Sequence, residues 1–366
     1  MATIAVSVLD FGTSTYWLRE MAREPSLLTQ MFNRMGSKLV LNAAASLILV
    51  TVCLTIPALN FWWPLAVVLF GMQAELTLAI PLRAAARVSV VSASMLLNRV
   101  VTLAAVLALG MLGMGVMRLL VATGLGSMAA AAFMWWKGGS ELTRGRGTFT
   151  WANPWSGSSR FGIISLSASL QALDAPLLTR LAGAAQTGLY GAVNRWTQPI
   201  ALLISAFCQA SIPHVAAART IRKGWGAIRR SSILLVGALV VAVLVVLFAK
   251  PVILLLLGPA YEGSAQVLRV LAVSTAIVIF NQPVAMILQT TGHDGLVSIC
   301  LPSGVVVQLL GIVVLAPRFG ATGAALAACI AQVAMAMMLG TALAFAIRQE
   351  GRLQRTTEHL DGIGVQ

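Results

Sequence analysis

The chain alternates long apolar segments with short polar ones over nearly its whole length. A helix that crosses the hydrocarbon core of a bilayer needs about 20 apolar residues. We therefore predict transmembrane helices near residues 39–59, 62–82, 90–110, 116–136, 159–183, 187–213, 231–257, 264–289, 296–316 and 321–347. A partial segment at residues 2–18, interrupted by Asp10, opens the chain. The pattern predicts an all-α, polytopic membrane protein with about eleven transmembrane segments, the first one partial.

Composition and charge placement agree with that prediction. The 366 residues are 58% hydrophobic and 10% charged, with a mean hydropathy of +0.89, whereas soluble domains carry about 25% charged residues. The net charge of +14 could suit nucleic acid, but the basic residues recur in short clusters between apolar runs, so we expect membrane lipids and no nucleic acid as partners. If the segment after the opening fragment is cytoplasmic, the inner segments hold 18 of the 25 Lys and Arg. Those segments are 19–38, 83–87, 137–160, 214–230 and the tail from 348.

The residue types that carry enzyme chemistry are sparse and scattered. The four cysteines, Cys53, Cys208, Cys300 and Cys329, all lie within apolar runs, and the three histidines are far apart. Neither a disulfide framework nor a metal motif can be read from that spacing. A membrane enzyme acting on lipid-linked sugars usually carries its reacting groups on a sizeable loop, and the predicted outer loops are short. We expect no catalytic residues, no metal site, no cofactor and no enzyme activity.

An internal comparison divides the chain into two lobes. The stretch "LFGMQAELTLAIPLRAAARVSVVSASMLLNRVV" (69–101) matches "VIFNQPVAMILQTTGHDGLVSICLPSGVVVQLL" (278–310) in the order of spans and loops. Parallel repeats of this kind are common in transporters. We predict an incomplete N-terminal helical lobe over 1–150 and a six-helix lobe with a cytoplasmic tail over 151–366, facing a central cavity. The glycine-rich inner segment 137–160 is predicted to interrupt the helices between them.

Four stretches carry a family resemblance. They are "LDFGTSTYWLREMAR" (9–23), "GLYGAVNRWTQP" (188–199), "LLLGPAYEGSAQVLRVLA" (255–272) and "PRFGATGAALA" (317–327). In order and spacing they resemble the polysaccharide and oligosaccharide flippases, such as O-antigen flippases, of the multidrug/oligosaccharidyl-lipid/polysaccharide exporter superfamily.

The resemblance implies a transporter of the bacterial inner membrane. Its cargo would be a lipid-linked, polyprenyl diphosphate glycan, moved by alternating access with possible proton or sodium coupling, and we expect a monomer. Compared with the family, the first helix is lacking. The resemblance therefore leaves two explanations open, a misassigned start codon or a truncated product that is inactive.

Ionisable residues inside the predicted spans are the candidate site. An unpaired charge near mid-membrane costs about 2.5–3.5 kcal/mol on insertion scales, so each such residue should face a cavity or a partner. The candidates for binding an anionic diphosphate are Arg195, Arg99 and Arg180, and those for coupling or positioning are Asp174, Asp10 and Glu75.

Each candidate also has a structural interpretation. Arg195 could pair with Asp174 on the preceding helix, Arg180 could snorkel to the outer interface, and Arg99 could form a salt bridge. Asp10 precedes "FG" and could accept backbone hydrogen bonds at a helix break.

Glu75 and the class of cargo also have alternative interpretations. Glu75 could hydrogen-bond within its own lobe. A small-molecule or drug exporter of the same superfamily is the alternative function, and its cavity would favour acids and aromatics over arginines. The excess of arginine over acid inside the spans favours an anionic cargo.

Overall fold

The structure, a computed structural model, describes residues 2–23, 28–111, 117–139, 148–218, 220–229 and 233–363. These residues form α-helices and short 3-10 turns, and the described ranges contain no β-strand. Seven helices are long and apolar enough to cross a membrane, and an eighth candidate is a bent pair. The predicted all-α architecture is confirmed, and the helices indicate a multi-pass membrane protein. The chain divides into two compact units, residues 1–166 and 167–366.

Unit 1 is organised around one central helix. Its helices are α1 (Ala2–Asp10), α2 (Thr13–Arg23), α3 (Leu28–Thr55), α4 (Trp63–Ala84), α5 (Val88–Met111), α6 (Met117–Lys137) and the first part of α7 (Ser159–Leu170). The helices α1, α2, α3 and α6 all pack against α4. Side chains such as Leu78, Leu82 and Met134 form the apolar core at this centre. Among the candidate spans described in unit 1, the one that contains α4 is therefore the most buried.

Unit 2 contains two very long helices, each with an internal break. Its helices are α8 (Asp174–Ala218), α9 (Ile221–Arg229), α10 (Ile233–Leu247), α11 (Ala249–Leu256), α12 (Ser264–Thr290) and α13 (Asp294–Ile363). Gly183 interrupts α8 and Gly320 interrupts α13 with non-helical backbone angles. The Gln186 side chain joins the two breaks, because its Oε1 accepts a hydrogen bond from the Ala321 N–H at 3.0 Å. Both breaks fall where the sequence predicted short loops.

The predicted span 231–257 is not a continuous helix. The run 231–257 consists of α10 and α11, which are bent by 83°. The bend follows from Pro251, whose ring clashes with the carbonyl four residues earlier, at Leu247, and which has no N–H to bond to it. That carbonyl belongs to the last residue of α10. The apolar pattern missed the bend because Lys250 and Pro251 interrupt an otherwise hydrophobic run by only two residues.

The inner segment 19–38 was predicted as a loop and is largely helical. Helix α3 begins at Leu28, well before the predicted span at 39. Met31, Met35 and Lys38 follow the spacing of one helix face, and all three are buried. This end of α3 is therefore held by packing inside unit 1, although its composition is polar.

The interruption predicted within 137–160 lies partly outside the described residues, because 140–147 are not among them. Residues 149–157, here called the strap, are not helical and bind along α3. Asn33 Nδ2 donates to Thr150 Oγ at 2.7 Å, and Arg34 donates to the Ser156 carbonyl at 3.1 Å. These contacts place the strap in unit 1, so the unit boundary lies beyond residue 150.

The repeat detected in the sequence has a structural counterpart in two turns. Ala86, between α4 and α5, has φ +57°, and Gly292, between α12 and α13, has φ +98°. Each turn closes with the same pattern: Arg87 N–H donates to the Leu82 carbonyl, and His293 N–H donates to the Leu288 carbonyl. This is the helix C-cap that favours glycine. In unit 1 the position is occupied by alanine.

These turns generate a stability prediction. Ala86→Gly should raise the free energy of unfolding by about 0.5–1 kcal/mol, because glycine removes the cost of a left-handed conformation, and Gly292→Ala should lower it by about 1 kcal/mol. Thermal unfolding of the purified protein in detergent measures both. The control is Ala85→Gly, since Ala85 has φ −81° and its replacement should only destabilise. An Ala86→Gly variant that is as destabilised as the control contradicts the prediction.

Candidate functional site

The first candidate residue lies at a helix break. Between α1 and α2, Phe11 and Gly12 have φ +42° and +70°. The Asp10 carboxylate caps the start of α2: Oδ1 accepts from Ser14 Oγ at 2.7 Å and from Thr13 Oγ at 3.0 Å, and Oδ2 accepts from Ser14 N–H at 3.4 Å. The prediction that Asp10 accepts a backbone hydrogen bond at a helix break is confirmed.

Asp10 also has a cationic partner that the sequence analysis missed. Lys38 Nζ donates to Asp10 Oδ1 at 2.5 Å and to Thr13 Oγ at 2.7 Å. The lysine side chain is 0% exposed and the Asp10 side chain 8%. The ammonium lies 5.4 Å from the centre of the Trp17 ring, within range of a cation–π interaction. One buried ion pair therefore connects α1, α2 and α3.

Further buried polar groups lie on α3 and α4. Asn42 follows Lys38 by one turn of α3, and Gln73 and Thr77 are one turn apart on α4. Gln73 Nε2 donates to the Val6 carbonyl at 2.6 Å, one turn before Asp10. We call the set Asp10, Thr13, Trp17, Lys38, Asn42, Gln73 and Thr77 the polar core of unit 1.

Several atoms of the polar core have no hydrogen-bond partner within the described part of the chain. They are Trp17 Nε1, Asn42 Nδ2, Gln73 Oε1 and Thr77 Oγ. An unmade hydrogen bond on a buried group costs about 1–3 kcal/mol. Since donors and acceptors are both present, this region has the capacity to bind water or another small polar guest.

The strap closes one side of the polar core. Ala152 N–H donates to Ser37 Oγ at 3.1 Å, directly before Lys38, and Trp155 Nε1 donates to the Leu9 carbonyl at 3.2 Å, directly before Asp10. Gly157 lies so close to Tyr16 that an added Cβ would be 2.5 Å from the phenol oxygen. The strap is thus fixed to the two chain segments that supply the ion pair.

Glu75 is satisfied within its own unit. Its Oε2 accepts a hydrogen bond from Asn98 Nδ2 at 2.7 Å, and Asn98 also contacts Ser127 Oγ at 3.2 Å. Thr102 Oγ donates to Asn98 Oδ1 at 3.2 Å. This network connects α4, α5 and α6. The structural interpretation of Glu75, a hydrogen bond within its lobe, is confirmed.

Asp174 is held by different partners from the one considered. Its Oδ2 accepts from the Tyr190 hydroxyl at 3.0 Å, and its Oδ1 accepts from the Ala175 N–H at 2.6 Å. Pairing with Arg195 is wrong for this structure. Arg195 follows Tyr190 by five positions on α8, and five helical residues turn the side-chain direction by about 140°. The carboxylate that contacts Tyr190 therefore lies on another face of the helix.

The arginine candidates are all exposed on apolar helices. Arg99 is the twelfth of the 24 residues of α5, and Arg195 follows the break at Gly183 by about 18 Å of helix at 1.5 Å per residue. Arg180 precedes that break by three residues. Neither Arg195 nor Arg99 forms an ion pair with any residue that the structure describes, although the charge of Arg99 acts on Glu75. The salt bridge considered for Arg99 is therefore not formed.

Within unit 1 the charge of Arg99 acts on Glu75, and within unit 2 Asp174 is bonded to Tyr190 and Ala175 and not to Arg195. Asp10 is neutralised by Lys38, which the sequence analysis counted as a cytoplasmic charge because it ends a basic segment. A usable signal was present in the spacing, since Lys38 and Asn42 stand one turn apart at the start of an apolar run.

Metal ligation has no visible basis in this part of the chain. Within the described ranges, no group of three or more His, Cys, Asp or Glu side chains is placed to hold a metal ion. All four cysteines are free thiols.

Comparison with known proteins gives a fold but no sequence family. No family model and no curated protein matches the sequence. Among solved structures, the chain is similar to an outward-facing multidrug resistance MATE family transporter of the MOP superfamily, with a TM-score of 0.72 and 17% identity over 97% of this chain and 86% of that one. The chain has the fold of the MATE transporters.

Two further MATE-fold structures agree. The MATE transporter ClbM, solved in complex with Rb⁺, has a TM-score of 0.66 and 14% identity, over 94% of this chain and 84% of that one. A MOP superfamily transporter from Pyrococcus furiosus, described by a binding pocket of reversed polarity that suggests a different function, has a TM-score of 0.70 and 16% identity, over 97% and 86%. These similarities show the fold alone, and both the exporter superfamily and its flippase branch stay predictions.

The buried ion pair generates the second prediction. Lys38→Met or Asp10→Asn alone should lower the free energy of unfolding by about 3–5 kcal/mol, because each strands a buried polar or charged partner. The double variant should recover most of that loss, since neither charge then remains. Thermal unfolding in detergent provides the double-mutant cycle. Additive losses would mean that the two groups do not interact.

The helix break between α1 and α2 generates the third prediction. A Cβ at Gly12 would lie 2.2 Å from the Phe161 carbonyl carbon of α7. Gly12→Ala should therefore destabilise unit 1 by about 2–5 kcal/mol through overpacking and a left-handed alanine. The control is Gly237→Ala in α10, where the space around the Cβ is open and alanine should be neutral or stabilising. Equal melting temperatures for the two variants would refute the contact.

Proposed function

We propose that this chain is a membrane transporter that moves lipid-linked oligosaccharide or polysaccharide precursors across the bacterial cytoplasmic membrane by alternating access. One observation carries the proposal. The acids within the apolar helices are bonded inside their own unit, whereas Arg99, Arg180 and Arg195 are exposed. The charge that these helices offer to a cargo is therefore positive.

A polyprenyl diphosphate glycan fits this charge pattern. Its diphosphate and sugar must cross about 30 Å of hydrocarbon, whereas its polyprenyl tail can remain in the lipid. A transporter lowers that barrier by offering cationic groups to the diphosphate along the path. The P. furiosus transporter of the same fold is described by a reversed polarity of its binding pocket that suggests a different function.

Arg195 is the principal cargo residue of this proposal. It is exposed, it lies far from the break that begins its half of α8, and it makes no hydrogen bond within the described residues. A guanidinium can bind two phosphate oxygens as a fork, which an ammonium cannot do. Arg180 is proposed to assist it from the other side of the Gly183 break, and Arg99 on α5 is proposed as a further diphosphate-binding group within unit 1.

Coupling is assigned to carboxylates without a bonded cation. Glu75 and Asp174 are half-buried and accept hydrogen bonds from neutral groups, Asn98 and Tyr190. A carboxylate of that kind can gain a proton or bind sodium as its exposure to water changes. Asp10 is bonded to Lys38, so we assign it a positioning role.

A drug exporter is the competing function, and the multidrug resistance transporter among the solved structures of this fold favours it. A cationic drug needs a carboxylate as its partner. In this chain that role would fall to Glu75 or Asp174. The two functions therefore predict sensitivity at different residues.

The fourth prediction tests the cargo. In proteoliposomes, Arg195→Ala should reduce the flipping of a fluorescent polyprenyl diphosphate sugar at least tenfold, and Arg195→Lys should give an intermediate rate because it keeps the charge and loses the fork. The rate is read from the fraction of label that an impermeant quencher reaches. Complementation of a flippase-deficient strain by the same variants provides a second readout.

The matched control is Arg269→Ala, which removes an exposed arginine close to the start of α12, where the side chain can reach the interface. It should flip the sugar lipid at nearly the parent rate. Parent-like flipping by Arg195→Ala contradicts the cargo site. Efflux of a cationic dye that depends on Glu75 or Asp174, with no flipping of the sugar lipid, identifies the drug exporter instead.

A further inference from the structure

A short basic helix lies outside the functions assigned so far. Helix α9 has the sequence IRKGWGAIR and contains three basic residues and no acid. Its first backbone N–H, at Ile221, donates to both carboxylate oxygens of Glu350, at 3.0 and 3.2 Å. An acid at a helix N-terminus satisfies an otherwise unpaired donor and complements the helix dipole. The start of α9 is therefore fixed to the C-terminal helix of unit 2.

One face of α9 packs against the unit and the other is open. Ile221 and Gly224, three positions apart, are buried, and a Cβ at Gly224 would lie 3.0 Å from Val215 Cγ1. Arg222, Lys223 and Trp225 are exposed. The glycine lets the helix lie close to α8. Arg222 and Trp225, three positions apart, then lie on one exposed face, and Lys223 is exposed about 100° around the helix from Arg222.

The position of α9 relates this face to the membrane. Helix α9 ends four residues before α10 begins at Ile233, so chain length alone keeps it within about 14 Å of that point. Helix α10 contains fifteen residues and no polar side chain. The start of α10 therefore marks the edge of the hydrocarbon, and α9 lies at the level where phospholipid headgroups are found.

Cations next to an indole suit an anionic headgroup. Arg and Lys donate charge-assisted hydrogen bonds to phosphate oxygens, and tryptophan favours the membrane–water interface. Trp225 is 50% exposed, so its side chain is accessible to a lipid surface. By the predicted orientation this is the cytoplasmic leaflet, which carries anionic lipids.

We propose that the exposed side of α9, which carries Arg222, Lys223 and Trp225, is a binding site for anionic phospholipid headgroups of the cytoplasmic leaflet. Binding would hold the α9 end of unit 2 at the membrane surface. Through Glu350 it would also restrain the C-terminal part of α13. This site is separate from the arginines assigned to the cargo.

The test uses the full chain in detergent, titrated with phosphatidylglycerol and, in parallel, with phosphatidylcholine, while native mass spectrometry counts the retained lipids. Arg222→Gln with Lys223→Gln should weaken phosphatidylglycerol retention about 30-fold, since each basic residue near a charged surface contributes a factor of about five. Trp225→Leu should weaken retention of both lipids. All three residues are exposed, so these variants should fold.

The matched control is Lys250→Gln, which removes an exposed lysine at the start of α11 that is paired with Glu262 at 2.7 Å. It should retain phosphatidylglycerol as the parent does. The proposal is overturned if the double variant binds phosphatidylglycerol like the parent, if the control loses as much, or if inorganic phosphate at millimolar concentration displaces the lipid. The last outcome would identify a site for free phosphate.

Discussion

A lysine ammonium that has no access to solvent must be neutralised where it stands, and the organisation of unit 1 follows from how Lys38 meets that requirement. Its partner, Asp10, can reach it because the chain breaks between α1 and α2. The break depends on Gly12, whose backbone contacts Phe161 of α7. The strap then binds to the residues beside each member of the pair. Removing the pair would therefore leave α1, α2, α3 and the strap without the interaction that aligns them.

Acidic and basic residues within the apolar helices have different surroundings. The carboxylates are given hydrogen-bond donors: Lys38 for Asp10, Asn98 for Glu75 and Tyr190 for Asp174. The arginines on α5 and α8 are left exposed. A buried or lipid-facing charge costs free energy unless it is paired. An exposed arginine in an apolar helix is therefore most stable where it contacts water or an anionic ligand. This difference is what connects the fold to the proposed cargo.

Breaks within helices shape the long helices of unit 2. Gly183 and Gly320 divide the two longest helices, and Gln186 connects the break in one to the chain just after the break in the other. Pro251 bends α10 away from α11. The two glycine breaks coincide with polar or small residues and were visible in the hydrophobic pattern. The proline bend was not, since Lys250 and Pro251 are only a two-residue interruption of an otherwise apolar run.

Hydrophobic periodicity and length were enough to determine the all-α membrane architecture, most of the helix positions and the internal repeat, because those depend on the solvent that each segment meets. The same reasoning identified the cap at Asp10 and the internal bond of Glu75, which are local in the chain or confined to one repeat. It misassigned Lys38, the inner end of α3 and the partner of Asp174. Each of these depends on which face of a helix a residue occupies and on which neighbour packs against that face. A one-dimensional pattern records that a charge lies near an apolar run, but only the tertiary structure decides whether that charge is turned toward a partner or toward the outside.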